Sequence, residues 1–137
     1  VICGFPGETE EAFERTMQLI DDVKPEIVNI SKFFARPKTP AAKMNNPISF
    51  SQIKARSAKL ASLAAKIALE KNQSWVEWEG EIFVNEVGKA KGSWIGRNFS
   101  YKPVVVRSQE NLLGKKLNVK IVRAFSTHLE GEIVNYS

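Results

Sequence analysis

Near residue 72 the sequence changes its period, and no single regular architecture accommodates what lies on the two sides. Ahead of that point apolar residues return every third or fourth position, the spacing of helix faces. Beyond it come short runs rich in β-branched and aromatic residues, broken by glycines at 80, 88, 92, 96, 114 and 131. Such runs fit strands separated by turns. The change predicts two parts, residues 1–72 and 75–137.

In the first part, Val1-Ile2-Cys3 reads as the end of a buried strand, stopped by Gly4-Phe5-Pro6-Gly7. Thr9 is placed to cap a helix, and Glu10, Glu11 and Glu14 fill its first turns, where carboxylates offset the positive end of the helix dipole. Phe13, Met17 and Ile20 give that helix one apolar face, and Asp21 to Pro25 end it. Glu26 to Ile30 restarts as a strand running on into Phe34. Strand, helix, strand is a βαβ pattern, which implies parallel pairing within a larger α/β sheet. After the loop Arg36-Pro37-Lys38-Thr39-Pro40, Ser49 or Ser51 opens a long connecting helix over about 51–71, with Ile53, Leu60, Leu63 or Ala64, and Ile67 on one face.

In the second part, Glu81–Glu86, Ser93–Arg97, Pro103–Val106, Lys116–Ala124 and Leu129–Val134 read as five strands. Five strands in so short a stretch predict a small antiparallel barrel, in which closure removes exposed edges. The expected whole is an α+β chain in two parts.

Charge is segregated along the chain. Residues 1–30 hold seven acidic and two basic residues, whereas 32–71 hold nine basic residues against Glu70 alone. Net charge is +5, a bias toward anionic partners. One cysteine, Cys3, excludes a disulfide framework and any metal site built from several thiolates, and its strand position reads as core packing. One histidine, His128, excludes ligation by several imidazoles, and its place before the last strand reads as a turn. No stretch approaches the roughly 18 apolar residues of a membrane helix, so a cytoplasmic protein is expected. The chain opens on Val1 and reads as cut from something longer, with no complete active site of its own.

Specific motifs point to a family. Ile2-Cys3-Gly4-Phe5-Pro6-Gly7-Glu8-Thr9 resembles the corresponding segment of radical S-adenosylmethionine methylthiotransferases. Phe33 to Met44 resembles the proline loop that follows it there. Gly80, Val84, Glu86, Gly88-Lys89, Gly96-Arg97, Tyr101 to Val106 and Leu113-Gly114 resemble the TRAM domain that closes those enzymes. The run Pro40-Ala41-Ala42-Lys43-Met44, behind Asn29 to Phe34, is most similar to the archaeal and eukaryotic branch.

The resemblance implies the tail of a radical S-adenosylmethionine α/β barrel of TIM-like form, then an OB-like TRAM barrel binding RNA. The full enzyme would use S-adenosylmethionine and two [4Fe-4S] clusters to place a methylthio group on a tRNA adenosine beside the anticodon. For that branch the adenosine is threonylcarbamoyladenosine. Another tRNA adenosine, a ribosomal protein, or a non-catalytic RNA-binding module are the alternatives. Cluster cysteines are absent from this stretch, so they are expected in an N-terminal part of the same enzyme, and this stretch alone is expected to be inactive. Lys38 stands where the family usually has glycine.

Two sets of candidate site residues follow. Gly4, Phe5, Pro6, Gly7 and Glu8 form a loop whose glycines open the backbone to a ligand and whose carboxylate accepts hydrogen bonds, and the resemblance implies contact with the cofactor. Equally, that loop reads as a plain strand-to-helix turn. Arg36 either pairs with the cofactor's carboxylate or an RNA phosphate, or braces the proline loop through carbonyls. In the barrel, cations interleaved with Trp94, Phe99 and Tyr101 suit phosphates and unpaired bases, and Lys89, Arg97, Tyr101 and Lys102 read as the RNA contacts. Equally, the rings fill a small core and the lysines keep it soluble. Trp75 and Trp78 read as core.

Overall fold

The computed structural model describes residues 1–136 of the chain. It divides into two compact units, Val1–Ile67 and Ala68–Ser137.

In the first unit, strand β1 (Ile2–Cys3) pairs in parallel with β2 (Ser31–Lys32), Ile2 opposite Ser31 and Cys3 opposite Lys32. Ser31 N–H donates to Val1 O at 2.9 Å and Phe33 N–H to Cys3 O at 2.8 Å. Helix α1 (Glu10–Val23) connects them. Thr9 caps it as its sequence position predicts, its hydroxyl accepting from Ala12 N–H at 3.0 Å. The helix stops where Lys24 turns left-handed (φ 48°) and donates its N–H to Ile20 O. The expected strand over 26–34 is much shorter than predicted, because a ladder extends only as far as its partner, and β1 offers two residues.

Helix α2 (Phe50–Gln73) starts where Ser49 Oγ accepts from Gln52 N–H at 3.3 Å. Its residues Leu60 and Ile67 join Cys3, Phe13 and Ile20 in one buried cluster, with Met17, Val28, Ile30 and Leu63 packed around it. Both predicted helix faces are therefore the ones that are buried. The unit shows a βαβ arrangement with two paired strands rather than a barrel wall.

The second unit is a closed five-stranded barrel in the order β3 (Glu79–Val87), β4 (Ser93–Arg97), β5 (Pro103–Arg107), β7 (Leu129–Tyr136), β6 (Lys116–Ala124). Closure and strand count are as predicted. The expectation of a wholly antiparallel barrel is corrected, since β5 and β7 run parallel through Val104–Leu129 and Val105–Glu130. An odd number of strands cannot alternate direction around a closed ring, so at least one parallel seam is obligatory.

Alternate residues point inward: Ile82 and Val84 from β3, Val104 and Val106 from β5, Leu117, Val119 and Ile121 from β6, and Leu129 from β7. Leu112, from the β5–β6 connection, plugs the same core. Register shifts between Val84 and Glu86, Asn118 and Val119, and Ile121 and Arg123 bend the strands, which a barrel this narrow requires.

Candidate functional site

The Gly4–Glu8 loop follows β1 and feeds α1. Gly4 has φ +87°, and a Cβ there would lie 2.7 Å from Ile53 Cδ1, so both backbone shape and space demand glycine. Gly7 also has φ +87° but faces open space. Pro6 is buried, and the Phe5 ring is 46% exposed and stands edge-on to Phe33 at 5.1 Å. Gly4, Pro6, Phe33, Phe34, Phe50 and Ile53 border an apolar cleft of about 300 Å³.

The Glu8 carboxylate is engaged by the protein itself. Its Oε1 accepts from Gly4 N–H at 3.1 Å and from Arg56 Nη1 at 2.8 Å. Arg56, which sequence reasoning counted only as one cation of a basic stretch, lies 5% exposed on α2. It also donates from Nη1 to Glu8 O at 3.0 Å and from Nη2 to Glu10 Oε1 at 2.8 Å. Hydrogen bonding and attraction to Arg56 hold the Glu10 carboxyl below the usual carboxylate range, and hydrogen bonding to Glu10 raises the Arg56 guanidinium. One buried guanidinium thus ties the loop to the first turn of α1. Burial pushes the Cys3 thiol up, as suits an inert core residue.

Arg36 is exposed, and its carbonyl accepts from Thr39 Oγ1 at 2.7 Å and Thr39 N–H at 3.3 Å. The loop is braced by this backbone turn. Lys38 within it has φ 64°, the left-handed shape that glycine adopts freely.

On the barrel, three of the four residues expected at an RNA surface come together and one does not. Arg97 ends β4, and Tyr101 and Lys102 belong to the turn that follows. The Arg97 guanidinium lies 4.9 Å from the Tyr101 ring centroid, while its Nη2 pairs with Glu86 at 3.2 Å. Asn98, 6% exposed, organises the turn: its Oδ1 accepts from Ser100 N–H and Lys102 N–H, each at 3.0 Å. Tyr101 is 71% exposed with φ 62°. Lys102 Nζ donates to Oδ1 of the buried Asn72 at 3.0 Å, and Asn72 Nδ2 donates to Phe125 O at 2.7 Å. Lys89 is exposed in the β3–β4 connection, at the other end of β4 and about 13 Å along the strand.

Trp75 and Trp78 pack against the barrel core as expected, edge-on to each other at 5.6 Å. Phe99, one of the rings that the sequence interleaves with cations, joins them. Its ring lies 5.7 Å from Trp75 and 6.1 Å from Trp78, yet it is 81% exposed. His128 sits in the β6–β7 turn, stacked on Phe125 at 4.6 Å.

Among the described residues no group of three or more His, Cys, Asp or Glu could hold a metal ion. Among them, too, no helix is long and apolar enough to cross a membrane.

Residues 79–134 match the TRAM domain family. Over 98% of its length the chain is 37% identical to a protein named threonylcarbamoyladenosine tRNA methylthiotransferase from Drosophila melanogaster, covering 24% of that protein. It is 38% identical, over 97% of its length, to the probable threonylcarbamoyladenosine tRNA methylthiotransferase of Archaeoglobus fulgidus, covering 30% of it. It is also 36% identical, over 98% of its length, to the tRNA-2-methylthio-N(6)-dimethylallyladenosine synthase of Dictyoglomus thermophilum, covering 31% of that one. The chain therefore spans between about a quarter and a third of the relatives it matches.

Proposed function

We propose that this chain is part of a TRAM-containing methylthiotransferase that places a methylthio group on N6-threonylcarbamoyladenosine next to the tRNA anticodon. The observation that carries the reading is the continuous match to such enzymes across both units, not across the barrel alone. In this reading residues 1–72 are the last part of a radical S-adenosylmethionine barrel, and residues 75–137 are the TRAM barrel that holds the anticodon stem-loop. The protein works in the cytoplasm, where it meets tRNA.

S-adenosylmethionine would supply the methyl group and the radical. The residues here suit its apolar parts: the cleft beside Gly4 and Pro6 has the size and phenyl walls to take a nucleoside base. Glu8 then acts by keeping Gly4 N–H and the loop in place, and the exposed Arg36 is left to meet a carboxylate or phosphate. The residues do not fit an iron–sulfur cluster, because Cys3 is single and buried, so both [4Fe-4S] clusters are assigned to other parts of the enzyme.

A second reading keeps the chemistry and changes the nucleoside to dimethylallyladenosine, since identity to that relative is nearly as high. Mass spectrometry of tRNA nucleosides, from cells lacking their own methylthiotransferases and expressing the enzyme that carries this stretch, separates the two. The methylthio derivative of threonylcarbamoyladenosine is the expected product. The derivative of dimethylallyladenosine in its place establishes the second reading, and neither product overturns both.

A further inference from the structure

We propose that Phe99, backed by Trp75 and Trp78, is a stacking platform for one unpaired RNA base, an inference that rests on the RNA-guiding role of the barrel. The phenyl ring is not a core residue that strayed outward. Its turn is held by the buried Asn98, whose Oδ1 accepts two backbone N–H groups, and by the left-handed Tyr101. Beneath it, the two indoles tilt at 60° and 45° to its plane and fix its orientation. The Trp78 indole in turn lies over Gly80, where any Cβ would collide with the ring. A flat ring that is held on one side and 81% exposed is preorganised to receive another flat ring.

Charge favours a nucleic acid over a protein as the occupant. Arg97 and Lys102 flank Phe99 in the same turn. Two acidic side chains near these rings are paired, Glu86 with Arg97 at 3.2 Å and Glu77 with Lys120 at 3.0 Å, while Glu79 beside Trp78 is exposed. An apolar protein side chain would gain nothing from the two cations, whereas an unpaired nucleotide brings a base for the ring and a phosphate for them.

The test measures binding of a fluorescein-labelled anticodon stem-loop, and of a fully paired RNA duplex, to the 137-residue chain and to Phe99→Ala and Phe99→Trp, across about 50 to 200 mM salt. Removing one stacked base weakens stem-loop binding about 5- to 150-fold. The salt slope should stay the same, because no phosphate contact is lost. Phe99→Trp should retain binding, the duplex should be indifferent to both variants, and the stem-loop should quench tryptophan fluorescence. Stem-loop binding that Phe99→Ala leaves intact overturns the platform while the RNA role stands. No binding by the parent chain overturns the RNA role itself. A change in the oligomeric state of Phe99→Ala, with RNA binding unaltered, overturns the platform and assigns the ring to contact with a second copy. Circular dichroism of each variant establishes that the barrel is intact, as the exposure of the ring leads one to expect.

Discussion

Single residues in this chain carry unequal burdens, and the left-handed ones show it most directly. Lys38 adopts φ 64° in the proline loop, and the resembling family's usual glycine marks the same backbone demand. A lysine there suffers a steric cost of about 1–2 kcal/mol, partly offset because glycine loses more entropy on folding. Lys38→Gly is therefore expected to stabilise the chain by about 0.5–1 kcal/mol, read as a raised urea midpoint at unchanged m-value. A lowered midpoint would show that the loop is held by the lysine side chain. Arg56 shows the opposite kind of residue. As one letter in a basic helix it had no mark of its own, yet it is buried against Glu8 and Glu10 from positions more than forty residues away. No local pattern could have singled it out, because its partners are supplied by folding.

At the scale of elements, the start of α1 couples to pH through that guanidinium. Glu10 is exposed, and Arg56 lowers its folded-state pKa beneath the ordinary 4.5. A depressed carboxylate stabilises the fold fully above the unfolded pKa and loses that contribution as pH falls through the folded one. The chain should thus lose stability between about pH 5 and pH 3, with Glu10→Gln flattening this part of the profile in urea denaturation. An unaltered profile would move the acid sensitivity to other carboxylates. The helices were the most legible elements, since Thr9, Phe13, Ile20, Leu60 and Ile67 announce caps and faces within a turn or two of themselves. Strand β2 was read too long because a strand's extent is a property of two segments, and the sequence of one does not record the length of its partner.

For the molecule as a whole, the two units are built on different principles. Among the described residues the barrel has its own core of nine buried apolar side chains and no open edge around its ring, so residues 68–137 are expected to fold alone with a cooperative thermal transition. Leu112→Ala within that piece should cost about 2–5 kcal/mol, because Leu112 is wholly buried and the cavity it leaves is walled by strands. A broad, non-cooperative transition in the parent piece would mean that the barrel depends on residues before 68. Sequence by itself determined the two textures, the five strands, the helix faces, the inert placement of Cys3 and the motifs of the family, since each follows from local periodicity, turn chemistry or a contiguous run. Only the tertiary structure decided that Glu8 is bound to Arg56, that Lys89 lies away from Arg97 and Tyr101, that one barrel seam is parallel, and that Phe99 rests exposed on two indoles. Those outcomes depend on which distant segments meet, and periodicity records only how a segment relates to itself.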